Sequence, residues 1–152
     1  MPKIFADALI SVDEGLPPRK QTKGSAGYDI YSPTDYNIKP HSLELIDTKM
    51  KIMIPTNHFV MVVSRSSMAL KRGLIIPNSP AIIDSDYQDN IIVGLFNTTD
   101  TTIHIKKGER IAQFIFFKEA QVRVSLAVTS LIQSFNKKRQ PIRKGGIGST
   151  GL

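Results

Sequence analysis

The sequence predicts one all-β domain, of sandwich or barrel type, followed by a short glycine-rich C-terminal arm. Apolar and β-branched runs of strand length recur along the chain, which is the main sign of an all-β fold. Pro, Asn and Gly residues separate these runs at the spacing of turns in a sandwich or barrel. The arm is predicted by the last ten residues, RKGGIGSTGL, which hold four of the ten glycines.

The predicted strands differ in how much of each should be buried. TTIHI alternates polar and apolar residues, as expected of a strand with one face in water. RIAQFIFF is apolar almost throughout, which predicts a strand buried on both faces or lying at a subunit contact. SMALKRG is the one run with a helical pattern, of barely two turns ending at Gly73. In chain order, the predicted strands are KIFADALI, YDIYS, LELIDTKMKIMI, HFVMVVS, AIIDSDY, NIIVGLFN, TTIHIKK, RIAQFIFF and VRVSLAV.

The length of 152 residues suits a single domain, and no repeat or linker divides the chain. We therefore expect a β domain over residues 1–136 and a mobile arm over residues 137–152. Composition alone leaves two interpretations of the arm open. A glycine-rich terminal segment is usually a solvated, flexible tail. Its glycines, hydroxyls and basic side chains also suit a loop whose backbone amides wrap an anion.

The composition excludes several kinds of site. Cysteine is absent, so disulfides and thiolate metal sites are ruled out, and the three histidines lack the spacing of shared metal ligands. Asp7 interrupts the N-terminal apolar run, which is then too short for a signal peptide. No apolar stretch approaches the roughly 18 residues of a membrane span. We therefore expect an intracellular protein without membrane association.

The formal net charge of +7 indicates an anionic partner. Nucleic acid and a polyanionic small ligand both fit that charge. Aromatic residues are only 7% of the chain, and no run interleaves them with basic residues as single-strand binders do. Stable nucleic-acid binding is therefore not expected.

Two segments in the first half of the chain have the residue types of a functional site. In SAGYDIYS, Asp29 is a lone carboxylate among apolar neighbours, which either caps local amides or belongs to a site. In SRSSMALKRG, Arg65, Ser66 and Ser67 lie where a strand ends and the helical turn begins. Arginine, hydroxyls and backbone amides there can bind phosphate, although the serines would also suit an ordinary helix N-cap.

Two further segments carry polar groups suited to a base and to catalysis. In PNSPAIIDSDYQDN, Asn78 offers a donor and an acceptor to a nucleobase edge. Asp84 could activate a water, or it could face solvent together with Asp86. In KKGERIAQF, Arg110 and Gln113 enter an apolar strand, where polar groups need partners.

In this order and spacing, the four segments and the C-terminal arm closely resemble the five motifs of the trimeric dUTPase family, from about Gly24 to Gly151. The resemblance implies a jelly-roll-like β domain, and a homotrimer whose three copies share each active site. It implies Mg²⁺-dependent hydrolysis of dUTP to dUMP and pyrophosphate, which limits uracil incorporation into DNA and supplies dUMP for dTTP synthesis. The implied partners are dUTP and further copies of the chain.

The resemblance also implies a role for each matching residue. Asp84 would orient and activate the attacking water, and Asp29 would hold Mg²⁺ through water. Asp86 and Arg110 would form a structural ion pair. The expected substrate-binding residues are Arg65, Ser66, Ser67, Asn78, Ile83, Tyr87, Gln113, Arg143, Ile147, Gly148, Ser149 and Thr150.

Within that set, Asn78 matches the amide that binds uracil in the family. Tyr87 matches the ring that packs on deoxyribose and leaves no room for a 2′-hydroxyl. The C-terminal arm matches a segment that closes over bound nucleotide, usually on a neighbouring subunit, and excludes water other than the attacking one.

The sequence departs from the family pattern in the arm and in the third motif. Ile147 stands where a phenylalanine that stacks on uracil is usual. Ile142 stands where an arginine is usual, with Arg143 one residue later. Ala81 and Asp89 stand where glycines are usual.

These departures leave open an alternative function, that of a catalytically weakened, dUTPase-like nucleotide-binding or regulatory protein. The related dCTP deaminases need a glutamate in the base pocket. No glutamate lies between Glu44 and Glu109, so the sequence disfavours a deaminase.

Overall fold

The computed structural model describes residues 7–137. The described chain divides into two compact units between Ala120 and Gln121. The predicted boundary between β domain and arm, after residue 136, falls at the edge of the described residues and stays a prediction. Among these residues, no helix is long and apolar enough to cross a membrane.

Strands dominate the first unit, and a single helix forms in the second. The elements are β1 (Leu9–Val12), β2 (Tyr28–Tyr31), β3 (Tyr36–Ile38), β4 (Leu43–Asp47), β5 (Met50–Met53), β6 (His58–Val63), α1 (Ser66–Arg72), β7 (Leu74–Ile75), β8 (Ala81–Ile83), β9 (Ile92–Asn97), β10 (Ile103–Ile105), β11 (Arg110–Lys118) and α2 (Thr129–Lys137). Eight of the nine predicted runs therefore contain strands. LELIDTKMKIMI forms two strands, because Lys49 turns the chain with a φ of 57°.

The strands form a four-stranded sheet, in the order β2-β11-β6-β8, and a three-stranded sheet, in the order β4-β9-β7. Two strand pairs, β1-β5 and β10-β3, complete the described topology, and all of these pairings are antiparallel. The predicted all-β class is therefore confirmed.

One hydrophobic core joins the two sheets. Val60, Val62 and Phe114 come from the four-stranded sheet, and Val93 and Leu95 come from the other. In β11, successive residues after Gln113 point alternately to the core and to the opposite face. Phe114 faces the core, whereas Phe117 on the opposite face is 38% exposed. RIAQFIFF is thus not buried on both faces over its whole length in the single chain.

Two predictions for the segment after β11 are wrong. VRVSLAV forms no strand. A strand needs a hydrogen-bonded neighbouring strand as well as alternating side chains, and residues 122–128 pair with no strand in the described chain. The helix Thr129–Lys137 was not predicted. Its sequence TSLIQSFNK contains no charge until its last residue and resembles a loop in composition.

Candidate active site

A cleft of about 430 Å³ brings together four residues that the sequence predicted for phosphate and metal binding, Asp29, Arg65, Ser66 and Gln113. We call it the phosphate cleft. Its remaining lining residues are Gln21, Ser25, Ala26, Gly27 and Ile115.

Strand pairing puts these side chains on one side of the four-stranded sheet. β11 lies between β2 and β6, and Gln113 is opposite Asp29 on one side and Val63 on the other. Directly opposite residues in a sheet share a face, so the side chains of Gln113 and Asp29 point the same way. Arg65 follows β6 by two residues and reaches Asp29 from the adjacent strand end.

A β-bulge brings Arg110 to the same place. The β11–β2 register shifts between Arg110 and Ala112, so that Arg110 is opposite Tyr31 and Ala112 is opposite Ile30. In a regular strand, residues three apart face opposite sides of the sheet. The extra residue in β11 turns Arg110 towards the side of Gln113, a common use of bulges beside functional sites.

Asp29 is the centre of the charges in the cleft. It is 6% exposed, and its Oδ1 accepts a hydrogen bond from Arg65 Nε at 3.0 Å. Its Oδ2 accepts one from Gln21 Nε2 at 2.8 Å and lies 3.5 Å from Arg110 Nη1. One buried carboxylate therefore faces two guanidinium groups, which leaves a net positive charge at the cleft. A guanidinium group has the planar geometry that suits binding of two phosphate oxygens at once.

The two serines lie inside the first turn of α1 rather than at its cap. Arg65 occupies the N-cap position in an extended conformation and makes no capping bond with its side chain. The Arg65 carbonyl accepts bonds from the backbone amides of Met68 and Ala69. Since neither serine caps the helix, the Ser66 hydroxyl is left at the cleft wall, while Ser67 Oγ lies 3.5 Å from Arg65 Nη1.

The predicted catalytic carboxylate lies in a different cavity, of about 600 Å³. Asp84, Ser85 and Asp86 line it, directly after β8, together with His58 and Glu119. Tyr87 lines a third cavity of about 300 Å³, as expected if it points away from the two aspartates. No described residue lines both the phosphate cleft and the Asp84 cavity.

The predicted ion pair between Asp86 and Arg110 does not form within the described chain. Arg110 pairs with Asp29 instead, and none of the ion pairs found among residues 7–137 includes Asp86. The Asp86–Arg110 pair is therefore not seen within the described residues of one chain, and it stays a prediction.

The remaining predicted binding residues are distributed between the described and undescribed parts. Asn78 is exposed in the turn before β8, and Ile83 pairs with Val60 and packs partly against the core. Outside the described residues lie Arg143, Ile147, Gly148, Ser149 and Thr150.

Gln21 is a cleft residue that sequence reasoning missed. Its Nε2 donates to Asp29 and lies 3.4 Å from the Tyr31 hydroxyl. The chain around it is held by the Asp29 backbone amide, which donates to the Arg19 carbonyl at 2.9 Å. No local pattern marks a glutamine eight residues before Asp29 and outside its motif, so only the fold reveals its place.

Asp29 can contact a metal ion through water but is poorly suited to bind one directly. A carboxylate accepts about four hydrogen bonds, and three donors already surround Asp29. In the described part of the chain, no group of three or more acidic or histidine residues could hold a metal. Mg²⁺ commonly keeps several waters and takes one or two carboxylates plus substrate phosphates. The cleft therefore fits a magnesium ion carried by a triphosphate.

Comparisons with known proteins agree with this arrangement. The dUTPase family profile matches residues 14–151. The deoxyuridine 5′-triphosphate nucleotidohydrolase of Fowlpox virus is 41% identical over 140 residues, which cover 92% of this chain and 92% of that protein. The Helicobacter pylori enzyme of the same name is 31% identical over 150 residues, covering 99% and 94%.

A solved structure gives the same result for the fold. The dUTPase of Staphylococcus bacteriophage 80alpha, with dUpNHpp, is similar with a TM-score of 0.79 at 20% identity, covering 96% of this chain and 99% of that one. The fold expected from the resemblance is therefore confirmed. The match over residues 14–151, with the identity to curated relatives, places the chain in the dUTPase family.

Proposed function

We propose that this chain hydrolyses dUTP to dUMP and pyrophosphate, as the family does. The observation that carries the proposal is the phosphate cleft, in which Arg65 and Arg110 surround the single carboxylate of Asp29. The net positive charge suits a triphosphate, and the neighbouring Ser66 and Gln113 add neutral hydrogen-bond donors. The reaction acts on the cell's nucleotide pool, which is where we expect the protein to work.

The reaction needs a positioned water and stabilised phosphate charge more than it needs a protein nucleophile. In our proposal, Asp84 orients a water and accepts its proton as the oxygen attacks the α-phosphorus. A new P–O bond forms there, the bond to the bridging oxygen breaks, and pyrophosphate leaves. Arg65, Ser66 and Gln113 donate hydrogen bonds to the phosphate oxygens and hold the chain of phosphates in line.

We propose Mg²⁺ as the cofactor, held on the substrate phosphates with Asp29 contacting its hydration shell. When bound, the ion neutralises phosphate charge as the leaving group develops. Asp29 has a second task that needs no metal. Its carboxylate fixes the Arg65 guanidinium, because Arg65 Nε donates to it at 3.0 Å, while Arg65 Nη1 donates to the Arg110 carbonyl at 3.3 Å.

We propose that the active site is shared between copies in a homotrimer. Asp84 lines one cavity of the chain, and the phosphate cleft is another. Neither of them alone holds a complete site. Joining unlike surfaces of successive copies makes a heterologous contact, which forms a ring when the rotation from copy to copy closes. The family resemblance sets the number of copies at three. In such a ring, Asp86 of one copy would pair with Arg110 of another.

Exposed apolar surface supports this assembly. On the outer face of the β4-β9-β7 sheet, Leu43 and Leu45 lie over Gly94 and remain at least half exposed. Ile92 and Ile75 extend the same face. Contiguous apolar patches of this kind usually mark an interface.

The segment 122–128 supports the assembly in a second way. Its alternating apolar residues are each more than two-thirds exposed: Val122, Val124, Leu126 and Val128. A strand-like pattern without a strand partner suits pairing with an edge strand of another copy.

The contribution of the arm residues Arg143, Ile147, Gly148, Ser149 and Thr150 rests on the resemblance. We propose that they close over the phosphates and exclude bulk water. Removing everything after Gln140 tests this proposal directly.

The experiment measures pyrophosphate release from dUTP, UTP, dCTP and dTTP, with and without Mg²⁺, by the full chain and by the truncated chain. We expect turnover of dUTP alone, dependent on Mg²⁺ and lost on truncation. Binding of dUTP without pyrophosphate release would instead support the regulatory alternative, which the altered arm motif favours.

The role of Asp84 is tested by Asp84→Asn. Removing a general base typically costs about 10²- to 10⁴-fold in turnover, while dUTP binding should persist. The matched control is Asp100→Asn, which neutralises an exposed aspartate that pairs with His41 in the turn after β9. An Asp84→Asn variant with normal turnover would contradict the assigned role.

A further inference from the structure

The loop between β8 and β9 carries both Asp84 and Tyr87, and the tyrosine spans it. The Tyr87 backbone amide donates to the Asp84 carbonyl at 3.2 Å. Its hydroxyl donates to the Asn90 carbonyl at 2.9 Å. The ring is therefore held at both ends, by the start of the loop through its backbone and by the end of the loop through its hydroxyl.

The hydroxyl bond is not required for burial. Tyr87 is 37% exposed, so water could satisfy its hydroxyl. The bond from the Tyr87 hydroxyl to the Asn90 carbonyl is therefore not needed to satisfy a buried donor, and its effect is to restrain the ring. The position of the ring then depends on what holds Asn90.

The Asn90 side chain anchors the end of the loop to the turn between β4 and β5. Its Nδ2 donates to Asp47 Oδ2 at 3.3 Å, while its Oδ1 is buried and has no hydrogen-bond partner among the described residues. An asparagine that leaves a buried oxygen unsatisfied costs free energy, which an alanine would avoid. Such a residue requires a reason other than stability.

The acceptor of this bond is itself fixed. Lys49 donates to Asp47 twice, from its backbone amide to Oδ1 at 2.9 Å and from Nζ to Oδ2 at 3.0 Å. These bonds, the backbone one first, hold the pKa of the Asp47 carboxyl below its ordinary value. The residues that follow Asp47 and Asn90 also join the two segments. The Thr48 amide and hydroxyl both donate to the Ile91 carbonyl, at 3.1 and 2.7 Å.

We propose that Asn90 is a positioning residue that sets the preference for deoxyribose over ribose. It fixes its own carbonyl against Asp47, and that carbonyl fixes the Tyr87 ring against which the sugar packs. A tyrosine ring excludes a 2′-hydroxyl only by steric clash. Its selectivity for deoxyribose therefore depends on the ring staying in place when a ribose binds. Small displacements of positioning groups have large effects at such sites. This inference rests on the proposed dUTP hydrolysis and adds a determinant of its sugar specificity.

The test compares kcat/KM for dUTP and UTP in the full-length protein and in Asn90→Ala. We expect the dUTP-to-UTP ratio to fall about fivefold or more, the effect of one lost hydrogen bond to the Asp47 carboxylate. The change should come from better use of UTP, with kcat for dUTP altered less. The matched control is Asn37→Ala, which removes an asparagine side chain that bonds to His104 on the β3–β10 pair. It should leave the ratio unchanged.

A double-mutant cycle identifies the route. Tyr87→Phe removes only the hydroxyl and should lower the ratio by a similar factor. Asn90→Ala added to Tyr87→Phe should then have little further effect, because the link to the ring is already broken. Additive effects, or equal losses for dUTP and UTP in Asn90→Ala, would overturn the proposal.

The same variants separate failure of the inference from failure of the proposed reaction. If the unmodified protein releases no pyrophosphate, the reaction is refuted, and relative affinities for dUTP and UTP replace kcat/KM as the readout. A preference for dUTP that falls in Asn90→Ala would still support the positioning role. A preference that is unchanged in both Asn90→Ala and Tyr87→Phe would refute it.

Discussion

Replacing Gly27 with alanine should displace the side chain of Gln113, which we propose binds phosphate, without unfolding the protein. A Cβ at Gly27 would lie 2.8 Å from Gln113 Oε1 and 3.4 Å from the Phe114 carbonyl oxygen. The contact with Gln113 Oε1 is a clash, but Oε1 is the far end of a flexible side chain that can move away. The contact with the Phe114 carbonyl oxygen is tight, and a slight shift of the backbone would relieve it. The φ of Gly27 is outside the left-handed region, so alanine introduces no backbone strain.

The expected change in stability is small because two effects oppose each other. Alanine in place of glycine restricts the unfolded chain, which stabilises by about 0.4–1 kcal/mol. Moving Gln113 breaks the bond from its Nε2 to the Ser64 carbonyl, which is long at 3.4 Å and contributes at most about 1 kcal/mol. The free energy of unfolding should therefore change by less than about 1 kcal/mol.

The expected change in substrate affinity is larger. If Gln113 donates one hydrogen bond to a charged phosphate, its loss weakens binding by about 1.5–3 kcal/mol, or roughly 10- to 150-fold in KM for dUTP. Pyrophosphate release measures KM, and urea unfolding measures stability. The control is Gly24→Ala in the same loop, where the nearest atom to the new Cβ is Thr22 Oγ1 at 3.9 Å.

A second background decides whether Gln113 is responsible. The Gln113→Ala variant lacks the side-chain amide that Gly27→Ala is expected to displace. Adding Gly27→Ala to Gln113→Ala should therefore raise KM for dUTP no further. Destabilisation of more than about 2 kcal/mol in both backgrounds would show that the Phe114 carbonyl, rather than Gln113, receives the clash. An unchanged KM in Gly27→Ala, beside a raised KM in Gln113→Ala, would refute the displacement.

Three further predictions concern stability. Phe114→Ala should cost about 3–5 kcal/mol in urea unfolding, because Phe114 is fully buried and stacks on Tyr28 at 5.2 Å between ring centroids. Gly73→Ala should cost about 1–3 kcal/mol, because Gly73 ends α1 at a φ of 67° and a Cβ would lie 2.6 Å from Thr99 Cγ2; Gly24→Ala serves as its control too. Asp47→Asn should lower the melting temperature near neutral pH but not near about pH 2. The folded pKa of Asp47 is depressed below 3.8, so its contribution exists above that pH and is lost as pH falls through the folded pKa. Since Asp47 is partly exposed, the effect should stay below about 1 kcal/mol, and equal losses at both pH values would contradict the charge-based explanation.

The candidate site was predictable where a motif is short and contiguous. Arg65 and Ser66 were assigned to phosphate binding from their own segment, Asp29 and Gln113 were assigned to metal and phosphate binding from the family resemblance, and the fold brings all four to one cleft. Gln21 was not predictable, because its contact with Asp29 depends on a loop path that no local pattern encodes.

The pairing of charges was also beyond the sequence. Arg110 and Asp86 matched motif positions, but a match does not tell which chain supplies the partner. A bulge in β11 directs Arg110 to Asp29 within one chain, and a bulge adds one residue without any required change of composition.

By itself, the sequence determined the all-β class, the approximate strands and the chemical types present at the site. These follow from interactions between near neighbours, namely side-chain alternation and turn residues. The tertiary structure alone decided the strand register, the bulge at Arg110, the separation of Asp84 from the phosphate cleft, and the absence of a strand at VRVSLAV. Each of these depends on which distant strand lies alongside, because backbone hydrogen bonds in a sheet join residues that are far apart in the chain.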